Sequence, residues 1–105
     1  RDGNYDSYVE ISWDDKLQAK GLYDDGIDHL EKAMIINPGF VNLYYVHADL
    51  SCCMALISNE SYILPDAKRR LEYARLLDPS NRVVTQIIQL YNWTASKLVY
   101  GELII

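Results

Sequence analysis

The chain has 105 residues, which bounds it to one small domain. Half of those residues are hydrophobic, enough for a packed core and too many for a disordered segment. The formal net charge of −5 speaks against a nucleic-acid partner, whose binding is driven by clustered Lys and Arg. No apolar run reaches bilayer length and no secretory signal pattern is present, so no membrane contact is expected. The chain begins at Arg1, and we read it as a fragment or processed product.

In chain order, Arg1 to Asp6 is a polar lead-in. Ser7 with Glu10 fits a capping box that opens a first helix. Val9, Trp13 and Leu17 recur every four residues and predict its buried stripe; Lys20-Gly21 predicts its end. A second helix is expected from Asp24 to Asn37. Asp24 and Asp25 suit its positive N-terminal end, and Ile27, Leu30 and Met34, with Ala33, share one face. Pro38 stops it, lacking the N–H needed to continue.

A third helix runs from Val41 to about Ile57, with Leu43, Val46, His47, Leu50 and Met54 on one face. Ser58-Asn59-Glu60-Ser61 breaks the pattern. The fourth helix starts near Pro65, a residue tolerated in a first turn, and ends at Leu77. Its apolar face carries Leu71, Ala74 and Leu76-Leu77. After the Asp78–Asn81 turn, Ser80 or Asn81 caps a fifth helix from Arg82 to about Tyr100. Val84, Ile87, Ile88, Tyr91, Ala95 and Leu98 form one stripe there, and Val83, Leu90 and Trp93 a second. Leu103-Ile104-Ile105 ends the chain on apolar residues, and the fifth helix is expected to pack against further chain or another molecule. Nothing in the pattern predicts a strand.

Beneath this order lies a repeat. Shifted by 41 residues, Asp66–Asn81 overlies Asp25–Phe40 without a gap: Asp25 falls on Asp66, Gly26 on Ala67, Leu30 on Leu71, Glu31 on Glu72, Ala33 on Ala74 and Pro38 on Pro79. A repeat of this kind means one supersecondary unit is stacked on itself. The small pairs Gly26/Ala67 and Ala33/Ala74 lie about two turns apart and let a neighbouring helix approach closely.

With Tyr23, Gly26, Ile27, Leu30, Ala33 and Pro38 in one copy and Ala67, Leu71, Ala74 and Pro79 in the other, the chain resembles the tetratricopeptide repeat family. Trp13, Leu17, Tyr44 and Ala48 match the first-helix half of that pattern, while Asp14, His47 and Gln89 depart from it. The resemblance implies an all-α, right-handed solenoid of helical hairpins with five helices in a single domain, 1–105. Repeat 1 spans about 7–40 and repeat 2 about 41–81, with an insertion near 54–65; a terminal helix covers 82–102. It implies a protein-interaction scaffold or adaptor, not an enzyme, with a groove lined by the first helices. The groove positions are Tyr8, Ile11, Asp15 and Gln18; Asn42, Tyr45, Asp49, Cys52 and Cys53; and Val83, Gln86, Leu90 and Trp93. Tyr8, Ile11, Asp15, Tyr45, Asp49, Leu90 and Trp93 are the chosen partner-binding set. Asp15 and Asp49 make the groove negative, so the expected ligand is a protein or peptide with apolar anchors and a basic residue. The family's clamp for acidic chaperone tails is not matched, because its positions hold Ile11, Asp15, Val46, Val83 and Ile87.

Two alternatives stand beside the adaptor. The apolar fifth helix suits a homodimer, an oligomerisation module, and the fragment character suits a regulatory appendage of a larger enzyme. No cofactor or metal is expected. His29 reads as a solvated residue and His47 as a core histidine; His47, Asp49, Cys52 and Cys53 lack a metal-site spacing. Asp24-Asp25-Gly26 lacks the rest of a calcium loop. Lys68-Arg69-Arg70 reads as a solvated face. The adjacent Cys52 and Cys53 are poorly placed to bridge each other, which favours a reducing, cytoplasmic compartment. Asn59 and Asn92 fit the glycosylation acceptor pattern, Asn59 in a loop and Asn92 inside a helix.

Overall fold

The computed structural model describes residues 12–105. Among them the regular structure is all helical, without strands. Four helices follow one another: α1 (Trp13–Ile36), α2 (Val41–Ser58), α3 (Leu64–Leu77) and α4 (Arg82–Lys97). The expected capping box at Ser7 and Glu10, and Val9, lie outside the described residues.

The count of five helices is corrected at Lys20-Gly21. No turn forms there, and α1 runs through it unbroken for 24 residues, about 36 Å. Glycine costs a helix interior about 1 kcal/mol, too little to stop one that other contacts hold. Lys20 Nζ pairs with Asp24 Oδ2 at 2.9 Å, one turn on and across the glycine. Ala19 and Tyr23 meanwhile pack on the core. The helix starts instead at Ser12, whose Oγ accepts from the Asp15 N–H, with Asp14 and Asp15 in the positive first turn. It ends before Pro38, as expected.

The other boundaries follow their local chemistry. α2 ends where Asn59 adopts the left-handed conformation (φ 56°), a position asparagine tolerates, and its N–H reaches back to the last turn. A short linker, 59–63, joins α2 to α3. Asn81 caps α4 by accepting from both Val83 N–H (2.9 Å) and Val84 N–H (3.1 Å). α4 stops at Lys97, three residues short of the expected end. There Val99 takes φ 56°, and the Tyr100 N–H closes on Ala95 O at 2.7 Å.

α2 is the central element, packing against α1, α3 and α4; α3 also packs on α4. The core joins Tyr44, Ala48, Cys52 and Ala55 of α2 to Leu64, Ala67, Leu71 and Ala74 of α3 and to Val84, Ile88, Tyr91 and Ala95 of α4. From α1, Met34 is buried and Ile27, Leu30 and Ala33 are half-buried. The small residues work as expected: Ala67 and Ala74 are fully buried, and Gly26 sits where an added Cβ would lie 3.7 Å from Leu50. Tyr44 packs edge-on against Tyr73 and donates its hydroxyl to Pro38 O, tying α2 to the turn before it.

Several expected core positions prove exposed. Trp13 (72%) and Leu17 face solvent, because among the described helices only the end of α2 lies beside that stretch of α1. Leu76 is exposed, as are its repeat mate Ile35 and the neighbouring Ile36, since the last turn of each helix projects past the stack. Val46 and Leu50 lie at the rim of α2; Tyr44, His47, Ala48, Ser51 and Cys52 form its true inner face. The C-terminal tail folds back on its own chain. Ile104 is buried, both amide atoms of Asn92 bond to its backbone, Tyr91 donates to Glu102 O, and Arg75 donates to Ile105 O.

Candidate functional site

Two features stand out on this frame. The first is an apolar trough along the N-terminal half of α1. On one side Trp13, Lys16, Leu17 and Lys20 face Met54, Ser58 and Glu60 across a hollow of about 160 Å³. On the other, Ala19, Leu22 and Tyr23 face Leu50, Cys53, Met54 and Ile57 across about 220 Å³. Met54 lines both hollows. Leu22, at 75% exposed, stands over the second.

The second is a polar cluster where α1, α2 and α3 meet. His47 is fully buried, and its Nε2 lies 3.5 Å from Glu31 Oε2 and 3.5 Å from Asp66 Oδ2. Arg70 reaches Glu31 Oε2 at 3.4 Å and Asp66 Oδ1 at 3.9 Å, and Arg69 pairs with Asp66 Oδ1 from the solvent side. On the opposite edge of the ring, Ser51 Oγ sits 3.5 Å from His47 Nδ1. Ser51 donates to His47 O at 2.8 Å, and its Oγ lies 3.1 Å from the Tyr23 hydroxyl. Neither His47 Nε2 nor Arg70 Nε has a hydrogen-bond partner. Burial outweighs the two carboxylates and pushes His47 below its usual value, while burial raises Tyr23. The basic run Lys68-Arg69-Arg70 is therefore only partly the solvated face expected of it: Lys68 pairs with Glu72, and Arg70 is drawn inward.

The expected groove residues scatter. Tyr8 and Ile11 lie outside the described residues. Asp15 is exposed in the first turn of α1, and no Cα of α1 comes within 8 Å of one in α4, so Asp15 does not join Leu90 and Trp93. Tyr45 and Asp49 lie one turn apart on α2, and Leu90 and Trp93 three residues apart on α4, on helices that pack together. Tyr45 and Leu90 rest half-buried against the core, whereas Trp93 is more exposed. Cys52 leaves the groove set: it is core, and burial pushes its thiol up to about 12. Cys53 is exposed and near Asp49 (3.9 Å), with its thiol raised by burial and then by that carboxylate.

Sequence reasoning missed Glu31 and Asp66 because each reads as a surface carboxylate on its own helix. It missed Leu22 because the expected turn lay there. The wheel position of His47, facing inward among apolar residues, was the one available signal.

The described chain is thus an all-helical stack with an apolar trough and a buried histidine–carboxylate cluster, and none of its helices is long and apolar enough to cross a membrane. No family model, curated protein or solved structure matches it.

Proposed function

We propose that this chain is a protein–protein recognition module, a tetratricopeptide-like stack of helical hairpins without catalysis of its own, that takes an apolar segment of a partner. The reading rests on one observation: Trp13, Leu17 and Leu22 stand exposed on one helix beside hollows floored by Leu50, Met54 and Ile57. Large apolar side chains grouped beside a concavity are what a partner's anchors bury against. The partner is an amphipathic helix whose apolar side chains enter the trough. Lys16 and Lys20 line one hollow and Asp49 lies beside Cys53 in the other, so its flanks carry both signs. Tyr45, Leu90 and Trp93, on α2 and α4, line neither hollow and offer a second, separate set of apolar side chains. The reduced cysteines suit a reducing, cytoplasmic setting.

Self-association through the terminal helix is the second reading. The stripe Val84, Ile88, Tyr91 and Ala95 is occupied inside the chain, so a second copy would meet Val83, Leu90 and Trp93 instead.

A displayed library of amphipathic-helix peptides tests the module. Selected peptides should lose at least tenfold in affinity with Leu22→Asp or Trp13→Ala and keep it with Ile36→Ser, at the far end of α1. Failure to select any binder, or equal loss in all three variants, counts against the trough. Light scattering addresses the second reading: a dimer dissociated by Trp93→Ala favours it over a monomer that binds peptide.

A further inference from the structure

The cluster around His47 has a hydrogen-bond order that fixes its protons. Ser51 has one hydrogen, and it goes to His47 O at 2.8 Å. The Tyr23 hydroxyl must then donate to Ser51 Oγ, and an oxygen lone pair is what faces His47 Nδ1. Nδ1 therefore carries the hydrogen in the neutral ring. The Nε2 lone pair is left pointing between Glu31 Oε2 and Asp66 Oδ2, with no donor to receive it.

Three electron-rich atoms converge, all within 4.8 Å of one another. Arg69 and Arg70 balance the two carboxylates from one side, while the His47 lone pair faces no donor. A proton on Nε2 would meet both oxygens at 3.5 Å, the same length as the Nδ1–Ser51 contact and longer than a good N–H···O bond of about 2.7–3.2 Å. Arg69 and Arg70 lie on the Oδ1 side of Asp66, which leaves Oδ2 turned to the ring, although Arg70 also approaches the Glu31 oxygen that His47 faces. A tetrahedral ion with bonds of about 2.1 Å has ligand edges of about 3.4 Å, close to the two separations from His47; the third edge, between the carboxylate oxygens, lies within 4.8 Å.

We propose that Glu31, His47 and Asp66 form a zinc site, with Glu31 Oε2, His47 Nε2 and Asp66 Oδ2 as ligands and a water as the fourth. One imidazole and two carboxylates are an ordinary donor set for zinc. The Nδ1–H···Ser51–Tyr23 arrangement is the outer support that holds a ligating histidine in its tautomer. The carboxylates are partly exposed, and Glu31 also lines a hollow of about 400 Å³ with Met34, Ile35 and Arg70. The site joins α1, α2 and α3, and it rests on neither the trough nor its partner.

The test is zinc chloride titrated into chelator-stripped chain, read by calorimetry and thermal melting. One equivalent should bind, and the melting temperature should rise to a plateau. Glu31→Gln and Asp66→Asn should each weaken binding at least tenfold, and Ser51→Ala about 10–100-fold. His29→Gln and Cys53→Ser should leave it unchanged. A second readout uses the unaltered chain: in long-range ¹⁵N spectra zinc should move Nε2 of His47 and leave Nδ1 protonated. The site is overturned by no melting shift in excess zinc, by a shift that survives both carboxylate variants, or by a response at the His29 ring or the thiols in place of His47.

Discussion

The side-chain amide of Asn92 faces the backbone of Ile104 as a peptide group would, its Nδ2 donating to Ile104 O and its Oδ1 accepting from Ile104 N–H, both at 2.8 Å. Ile104 is buried as a result. Asn92→Ala should cost about 1–3 kcal/mol, since it leaves two backbone groups unpaired. Asn92→Asp should be no milder, because a carboxylate oxygen would oppose Ile104 O. Denaturant melts give the cost, and amide exchange at Ile104 should quicken in both. The same pairing argues against a glycan on Asn92, whose nitrogen is engaged; Asn59, exposed in its linker, carries no such bond.

Gly21 gives a test of helix continuity. It lies inside α1, and an added Cβ would meet nothing within 4 Å. Gly21→Ala should stabilise the chain by about 0.5–1 kcal/mol, the ordinary gain in a helix interior. Were Gly21 a turn residue, as the sequence suggests, the same change would destabilise. A shift of the urea midpoint decides the sign.

Val99 predicts the reverse preference. A β-branched residue at φ 56° is strained by roughly 1–2 kcal/mol, and Val99 is 93% exposed, so little packing offsets it. Val99→Gly should raise stability by about 1 kcal/mol, as glycine suits the bend that ends a helix.

The cysteines should separate cleanly. Under native conditions a maleimide should label Cys53 and spare Cys52 until the chain unfolds. The Cys52 thiol is held at about 12, against 9.0 for the ordinary group. Below pH 9 both folded and unfolded chains keep that proton. Between 9 and 12 only the folded chain keeps it, so stability falls as pH rises through this window. Burial raises Tyr23 and Tyr91 in the same sense. Cys52→Ala should flatten the alkaline part of a melting-temperature profile.

The sequence made α3 legible almost to the residue, because Pro65, Pro79 and Asn81 act through their own backbones and need no distant partner. The inner stripe of α4 was legible for the same reason, its spacing being local. Lys20-Gly21 misled because a glycine after a lysine looks the same whether a helix stops or continues; the Asp24 pairing and the packing of Tyr23 decide it. Of the His47 cluster only the buried histidine was legible, and its carboxylate partners were not. Glu31 belongs to the first repeat copy and Asp66 to the second, at non-equivalent positions, so only the packing of three helices brings them to one ring.

The unbroken course of α1 has a mechanical consequence. From Tyr23 back to Trp13 it is a rod about 15 Å long, braced among the described helices by α2 alone and rooted at its other end in the stack. Such a cantilever magnifies a small tilt at its root into a larger sweep at its tip. Trp13 and Leu17 sit at the tip, so whatever wedges into the hollows beneath them also sets the angle of the whole beam.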